Sequence, residues 1–86
     1  NSVNYPDIKL NEKKTKYRLS ILCMNQHIDN ETCLQTLSLK IQNIEHMYQS
    51  FNDQYGVIVI DTNDEIKENI INDINHLEFV TRIRII

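Results

Sequence analysis

Apolar residues follow a two-residue period over 17–24 and a three-to-four-residue period over 34–44. After two extended stretches joined by a short polar turn, the longer period returns over 66–74 and gives way to a last two-residue alternation. This succession, strand-helix-strand and then strand-helix-strand again, limits the available folds more sharply than composition does. In the first strand Leu19, Ile21 and Cys23 share one face and Ser20, Leu22 and Met24 the other. Asp29 or Asn30 is placed to cap the first helix, whose apolar positions are Leu34, Leu37, Ile41 and Ile44. Residues 44–51 read as the second strand and Asn52-Asp53-Gln54 as a hairpin turn. Residues 55–60, the most β-branched run of the chain, read as a central third strand. Thr62 and Glu65 have capping-box spacing for a second helix opening over 61–65, with Ile66, Ile70, Ile71 and Ile74 as its buried stripe. Residues 79–86 form the last strand, with Ile83 and Ile85 on one face and Arg82 and Arg84 on the other.

Two right-handed strand-helix-strand units joined by a hairpin predict an α+β fold. It is a ferredoxin-like βαββαβ sandwich, a four-stranded antiparallel sheet with both helices on one face. Residues 1–16 have no period, contain Pro6, and end in the polar run Asn11-Glu12-Lys13-Lys14-Thr15-Lys16. They read as a linker from a larger protein, leaving 17–86 as the domain. At 86 residues, folding buries roughly 60–65% of the unfolded chain's surface, so pairing with a second copy is an expected source of added stability.

Several function classes fit poorly. The single Gly, Gly56, leaves no glycine-rich loop to cradle a phosphate or dinucleotide. A net charge of −3, with only a short interrupted basic run over 9–18, argues against a nucleic-acid backbone binder. RNA-recognition domains of this topology stack bases on central-strand aromatics, where this chain has valine and isoleucine. No apolar run reaches a membrane span, and two cysteines make no disulfide framework, so a reducing, cytoplasmic setting is expected. Cys23, His27 and Cys33 are the candidates for a three-ligand metal site. Cys23 with His27 or His46 is the candidate nucleophile pair, lacking an evident third group or oxyanion donor. The simpler reading makes Cys33 a core residue and His46 and His76 ordinary polar positions.

Several stretches resemble the C-terminal ACT domain of D-3-phosphoglycerate dehydrogenases. Ser2-Val3-Asn4-Tyr5-Pro6-Asp7-Ile8 is similar to the family's Val-Asn-Phe-Pro lead-in, and Arg18-Leu19 to its Arg-Leu start of the first strand. Tyr55-Gly56-Val57-Ile58-Val59-Ile60-Asp61 resembles its third strand, and Val80-Thr81-Arg82-Ile83-Arg84 its terminal strand. From Arg18 to Asp61 the spacing matches without a gap. The resemblance implies a regulatory domain that binds L-serine between two copies, joined through an edge strand, and so inhibits a distant active site. It implies no catalysis and no cofactor in this part, with NAD bound elsewhere in a parent dehydrogenase. The family's effector site uses a His ending the first strand, an Asn two residues on, and an Asn near the start of the second strand of the partner. Those positions are Cys23, Asn25 and Asn43 here.

An amide offers donors to a carboxylate and an acceptor to an ammonium, which suits a small zwitterion. Both asparagines also suit plain helix and loop capping. Where the family has Asn-Arg-Pro-Gly-Val, this chain has Asn25-Gln26-His27-Ile28-Asp29. Two readings follow: an amino-acid sensor that pairs with its twin, or an assembly module whose ligand loop has decayed.

Overall fold

The computed structural model describes residues 5–24 and 28–86. The element order is β1 (Tyr17–Met24), α1 (Asn30–Lys40), β2 (Ile44–Phe51), β3 (Tyr55–Thr62), α2 (Glu68–Asn75) and β4 (Val80–Ile85). The strands form one sheet in the order β2-β3-β1-β4, every neighbouring pair antiparallel. This α+β arrangement is compatible with a ferredoxin-like fold. No helix among the described residues is long and apolar enough to cross a membrane.

Side-chain alternation separates the two faces of the sheet. Leu19, Ile21 and Cys23 of β1 lie opposite Ile60, Ile58 and Gly56 of β3. They form one buried cluster with Cys33 and Leu37 of α1, Ile41 beyond it, and Ile74 of α2, so both helices cover this face. Gly56 occurs where β2 passes closest, since a Cβ there would run into the Phe51 ring. The hairpin between these strands is an Asx turn: Asn52 Oδ1 accepts from the backbone N–H of Gln54 at 2.9 Å and of Tyr55 at 2.8 Å.

The helix boundaries follow local chemistry. Asp29 caps α1, its Oδ1 accepting from the Thr32 N–H at 2.7 Å. That bond holds the exposed Asp29 carboxyl below its ordinary pKa. The second helix departs from the capping-box expectation and begins at Glu68, after an N-cap at Lys67. Thr62 belongs to the sheet instead, opposite Tyr17 on one side and Ile44 on the other. Its hydroxyl donates to the Asp64 carbonyl at 2.8 Å, which shapes the turn out of β3. Ladder pairing on both sides therefore outweighs the local cap.

On the helix-free face Arg18, Leu22, Val59 and Asp61 are buried although no helix lies there. Residues 5–16, without helix or strand, are fastened to the face at Tyr5 and at Asn11. The Tyr5 ring meets Tyr55 edge-on at 5.0 Å, and the Asn11 carbonyl accepts from Arg18 Nη2 at 3.2 Å. Arg18 in turn grips Asp61 with two parallel bonds, Nε to Oδ1 at 2.6 Å and Nη2 to Oδ2 at 2.8 Å. The hydrogen bond to Asp61 pushes the Arg18 pKa further up, against the opposing effect of burial.

Two stability outcomes follow. Asp61→Asn strands a guanidinium in a dry site and is expected to cost about 3–5 kcal/mol in urea unfolding, whereas Arg18→Met with Asp61→Leu recovers most of the loss. A double variant no better than the single one would place the cost in shape and not in charge. Gly56→Ala forces the Phe51 ring aside and is expected to cost about 1–3 kcal/mol, reduced when Phe51→Leu is combined with it.

Candidate functional site

Of the residues expected to bind an effector, Cys23 lies near the end of β1 with its side chain on the helix face. It is wholly buried in the core cluster and has no surface to offer a ligand in this chain. Burial, reinforced by the neighbouring Cys33, pushes the Cys23 thiol up to about 12. Burial and the Asp29 charge likewise raise Cys33. Both sulfurs are buried in the core, where the thiol form is favoured over the thiolate. Asn25 and His27 lie outside the described residues. Among the described residues no group of three His, Cys, Asp or Glu is placed to hold a metal ion. His46 is exposed on β2, and His76 closes α2 with Nδ1 2.6 Å from the Asn72 carbonyl.

Asn43 is the expected residue that the structure leaves available. It sits between the C-cap of α1 at Ile41 and the first residue of β2, at φ 58°, the one positive φ among the described non-glycine residues. Asparagine tolerates this left-handed turn because its short side chain bonds locally. Here Nδ2 donates to Asp64 Oδ2 at 2.9 Å, tying the loop after α1 to the loop after β3. In one chain this corner is far from Cys23. Ile44 faces Thr62, which faces Tyr17, while Cys23 lies six residues along the same strand, roughly 20 Å away. A single protomer does not bring the two together.

Around Asn43 the two loops enclose an open recess of about 380 Å³, within the usual range for small-ligand clefts. Its lining mixes Asn43, Asp64, Glu65, Lys40 and Lys67 with the apolar edges of Ile66 and Ile70. Carboxylates and ammonium groups share one rim. The first turn of α2 opens here too, with no side-chain cap from Lys67. Such a rim can satisfy both ends of a zwitterion.

Sequence reasoning missed Asp64, Glu65 and Lys67 in this setting because it assigned them to the first turn of a helix. The signal that finds them is the continued alternation Ile58, Ile60, Thr62, which carries β3 two residues further and turns 63–67 into a loop. A scan of the chain against protein-family models found no match, and a search of curated proteins found none.

The buried thiols give a direct check. Cys23 and Cys33 are expected to resist iodoacetamide in the folded protein at mildly alkaline pH and to react fully in urea. Fast native labelling of Cys23 would show the end of β1 open to solvent. Because folding raises the Cys23 pKa from 9.0 to about 12, its contribution to stability is intact below that lower value and is lost progressively as pH climbs through the interval. Melting temperature should therefore fall across that window, and less steeply in Cys23→Ala.

Proposed function

We propose that this chain is an ACT-type regulatory domain that senses a small amino acid, L-serine as first choice, at a seam between two copies. The observation that carries the reading is the place of Asn43, at the start of the exposed edge strand β2 and beside a recess of mixed charge. The sheet has two edges, β2 and β4. In a two-fold antiparallel pairing, β4 would bring Arg82 and Arg84 against their own copies, and like charges discourage such a seam. β2 carries Glu45, His46 and Gln49, a weaker mismatch, so β2 is the proposed seam. Antiparallel pairing of two β2 strands takes Asn43 of one copy to the end of the partner's sheet where its β1 finishes. That is also the end where Asn25 follows in the partner's sequence.

In this assembly the amide of Asn43, with Lys40 and Lys67, would receive the ligand carboxylate, while Asp64 and Glu65 would receive its ammonium. Cys23 takes no part beyond packing. The ligand would favour the closed pair over an open one by its difference in affinity between the two, typically ~1–3 kcal/mol. Catalysis and NAD binding would reside in a separate part of a parent dehydrogenase. The alternative, an assembly module that pairs without a ligand, is favoured by the replacement of the family's Arg-Pro-Gly by Gln26, His27 and Ile28.

Sedimentation followed by calorimetry separates the two. A dimer that gives saturable heat with L-serine, none with D-serine, and about tenfold weaker binding or worse in Asn43→Ala supports sensing. A dimer without heat supports the assembly module. A chain that stays monomeric at high concentration, with or without serine, sinks both.

A further inference from the structure

Charge is unevenly divided over this domain. Of its nine Lys and Arg, seven lie on the covering segment or the helix-free face: Lys9, Lys13, Lys14 and Lys16, then Arg18, Arg82 and Arg84. Of its twelve Asp and Glu, three share that side, Asp7 and Glu12 on the segment and Asp61 on the sheet. Asp61 is already neutralised by Arg18. An acidic protein thus presents one basic side, and clustered cations of this kind attract anions more strongly than net charge suggests.

Within this side Arg82 and Arg84 flank one small recess. Arg84 stands opposite Ser20 and Arg82 opposite Leu22 in the β1–β4 register, so both guanidinium groups rise from the same face of the edge strand. Neither forms a side-chain hydrogen bond or an ion pair with any described residue; among these the one salt bridge is Arg18–Asp61. With Ser20, Leu22, Val57 and the Tyr5 ring they line a recess of about 100 Å³. Since a water molecule takes up ≈ 30 Å³ in the liquid, the space suits a group of a few heavy atoms. The walls are a hydroxyl, two forked donors, two aliphatic side chains and an aromatic ring.

We propose that this recess, between Arg82 and Arg84 and under Tyr5, is an oxyanion site taking a phosphate or carboxylate group. Two guanidinium forks two residues apart on one strand face offer parallel charge-assisted bonds to such a group. Ser20 Oγ supplies a further donor from the neighbouring strand. The apolar wall made by Leu22, Val57 and Tyr5 accommodates an attached ring or short aliphatic body, so an aryl phosphate should bind more tightly than inorganic phosphate. The covering segment is then part of the site, because it brings Tyr5 across the sheet. This inference is independent of amino-acid sensing at Asn43, which lies at the other edge and the other end of the sheet.

Backbone amide NMR on the full chain tests it, with inorganic phosphate and phenyl phosphate titrated at constant ionic strength. Saturable shifts confined to Tyr5, Ser20, Leu22, Val57, Arg82 and Arg84 are expected, stronger with phenyl phosphate. Arg82→Gln with Arg84→Gln should weaken binding by about tenfold or more, the effect of losing charged hydrogen bonds. Lys14→Gln with Lys16→Gln removes the same charge from the same side without touching the recess, and should leave affinity within about twofold. Equal weakening in both double variants would reduce the effect to diffuse attraction and overturn the site. So would shifts that never saturate, or that spread over the helices. Tyr5→Ala should abolish the preference for phenyl phosphate while retaining inorganic phosphate; an unchanged preference would show that the segment plays no part.

Discussion

The bidentate pair of Arg18 with Asp61 is the interaction on which the helix-free side depends. It joins the first residues of β1 to the last of β3 at directly opposed positions, and the same guanidinium reaches the Asn11 carbonyl and lies 5.7 Å from the Tyr48 ring centre. One side chain thereby ties two central strands, an edge strand and the covering segment. A buried ion pair contributes little net stability relative to a well-packed apolar pair, because desolvation offsets most of the attraction. Its effect is on specificity. A slip of one residue between β1 and β3 would exchange the two faces and leave both charges buried without partners, so competing registers are disfavoured far more than the native one is favoured.

The opposite face works by a different rule. There the β-branched and aliphatic residues of β1 and β3 meet a small number of helical side chains, with Cys33 and Leu37 the buried residues of α1 and Ile74 that of α2. Leu34 packs half-buried against the same cluster, Leu39 is 86% exposed, and the other residues of α1 are polar. Thr36 and Ser38 each turn a hydroxyl back to the carbonyl four residues earlier, which does little for helix stability. The first helix is therefore held by its two anchors and by the Asp29 cap, not by its intrinsic preference for the helical state.

The parts of this architecture legible in the sequence were those with a period. The limits of β1, the face that Cys23 shares with Leu19 and Ile21, and the split between Ile83 and Arg82 follow from alternation alone, because a strand's two faces meet different surroundings at each step. The start of α2 was not legible, since Thr62 fits both a cap and a strand end, and only the sheet neighbours at Tyr17 and Ile44 decide between them. The Arg18–Asp61 pair escaped for the same reason: Asp61 looks like the opening of a helix until β3 is carried through it. Residues 5–16 read as linker because an aperiodic segment gives no sign of where it lies. Its contacts are a few aromatic and carbonyl groups, each ordinary in a loop. Asn43 was found by resemblance, whereas its left-handed backbone and its bond to Asp64 depend on a loop twenty-one residues away.

Geometry also sets how the two proposed sites relate. The proposed pairing through β2 would extend the sheet in its own plane, leaving the helix-free faces of both copies open on the same side and β4 at the two outer edges. The two Asn43 corners would lie at opposite ends of the seam, while each Arg82–Arg84 recess would stay at an outer edge. An amino acid and an oxyanion would then bind without competing. Any coupling between them must pass through β1 and β3, which run from the recess walls at Ser20, Leu22 and Val57 to the Arg18–Asp61 clasp and on to Thr62 and Asp64. Beside that route lies the covering segment, held at Tyr5 and at Asn11. A ligand seated under Tyr5 would favour the docked segment, and any effect on the Asn43 recess would run through Arg18. Coupling of this kind is limited by how much of the segment's freedom remains to be lost in the unliganded domain.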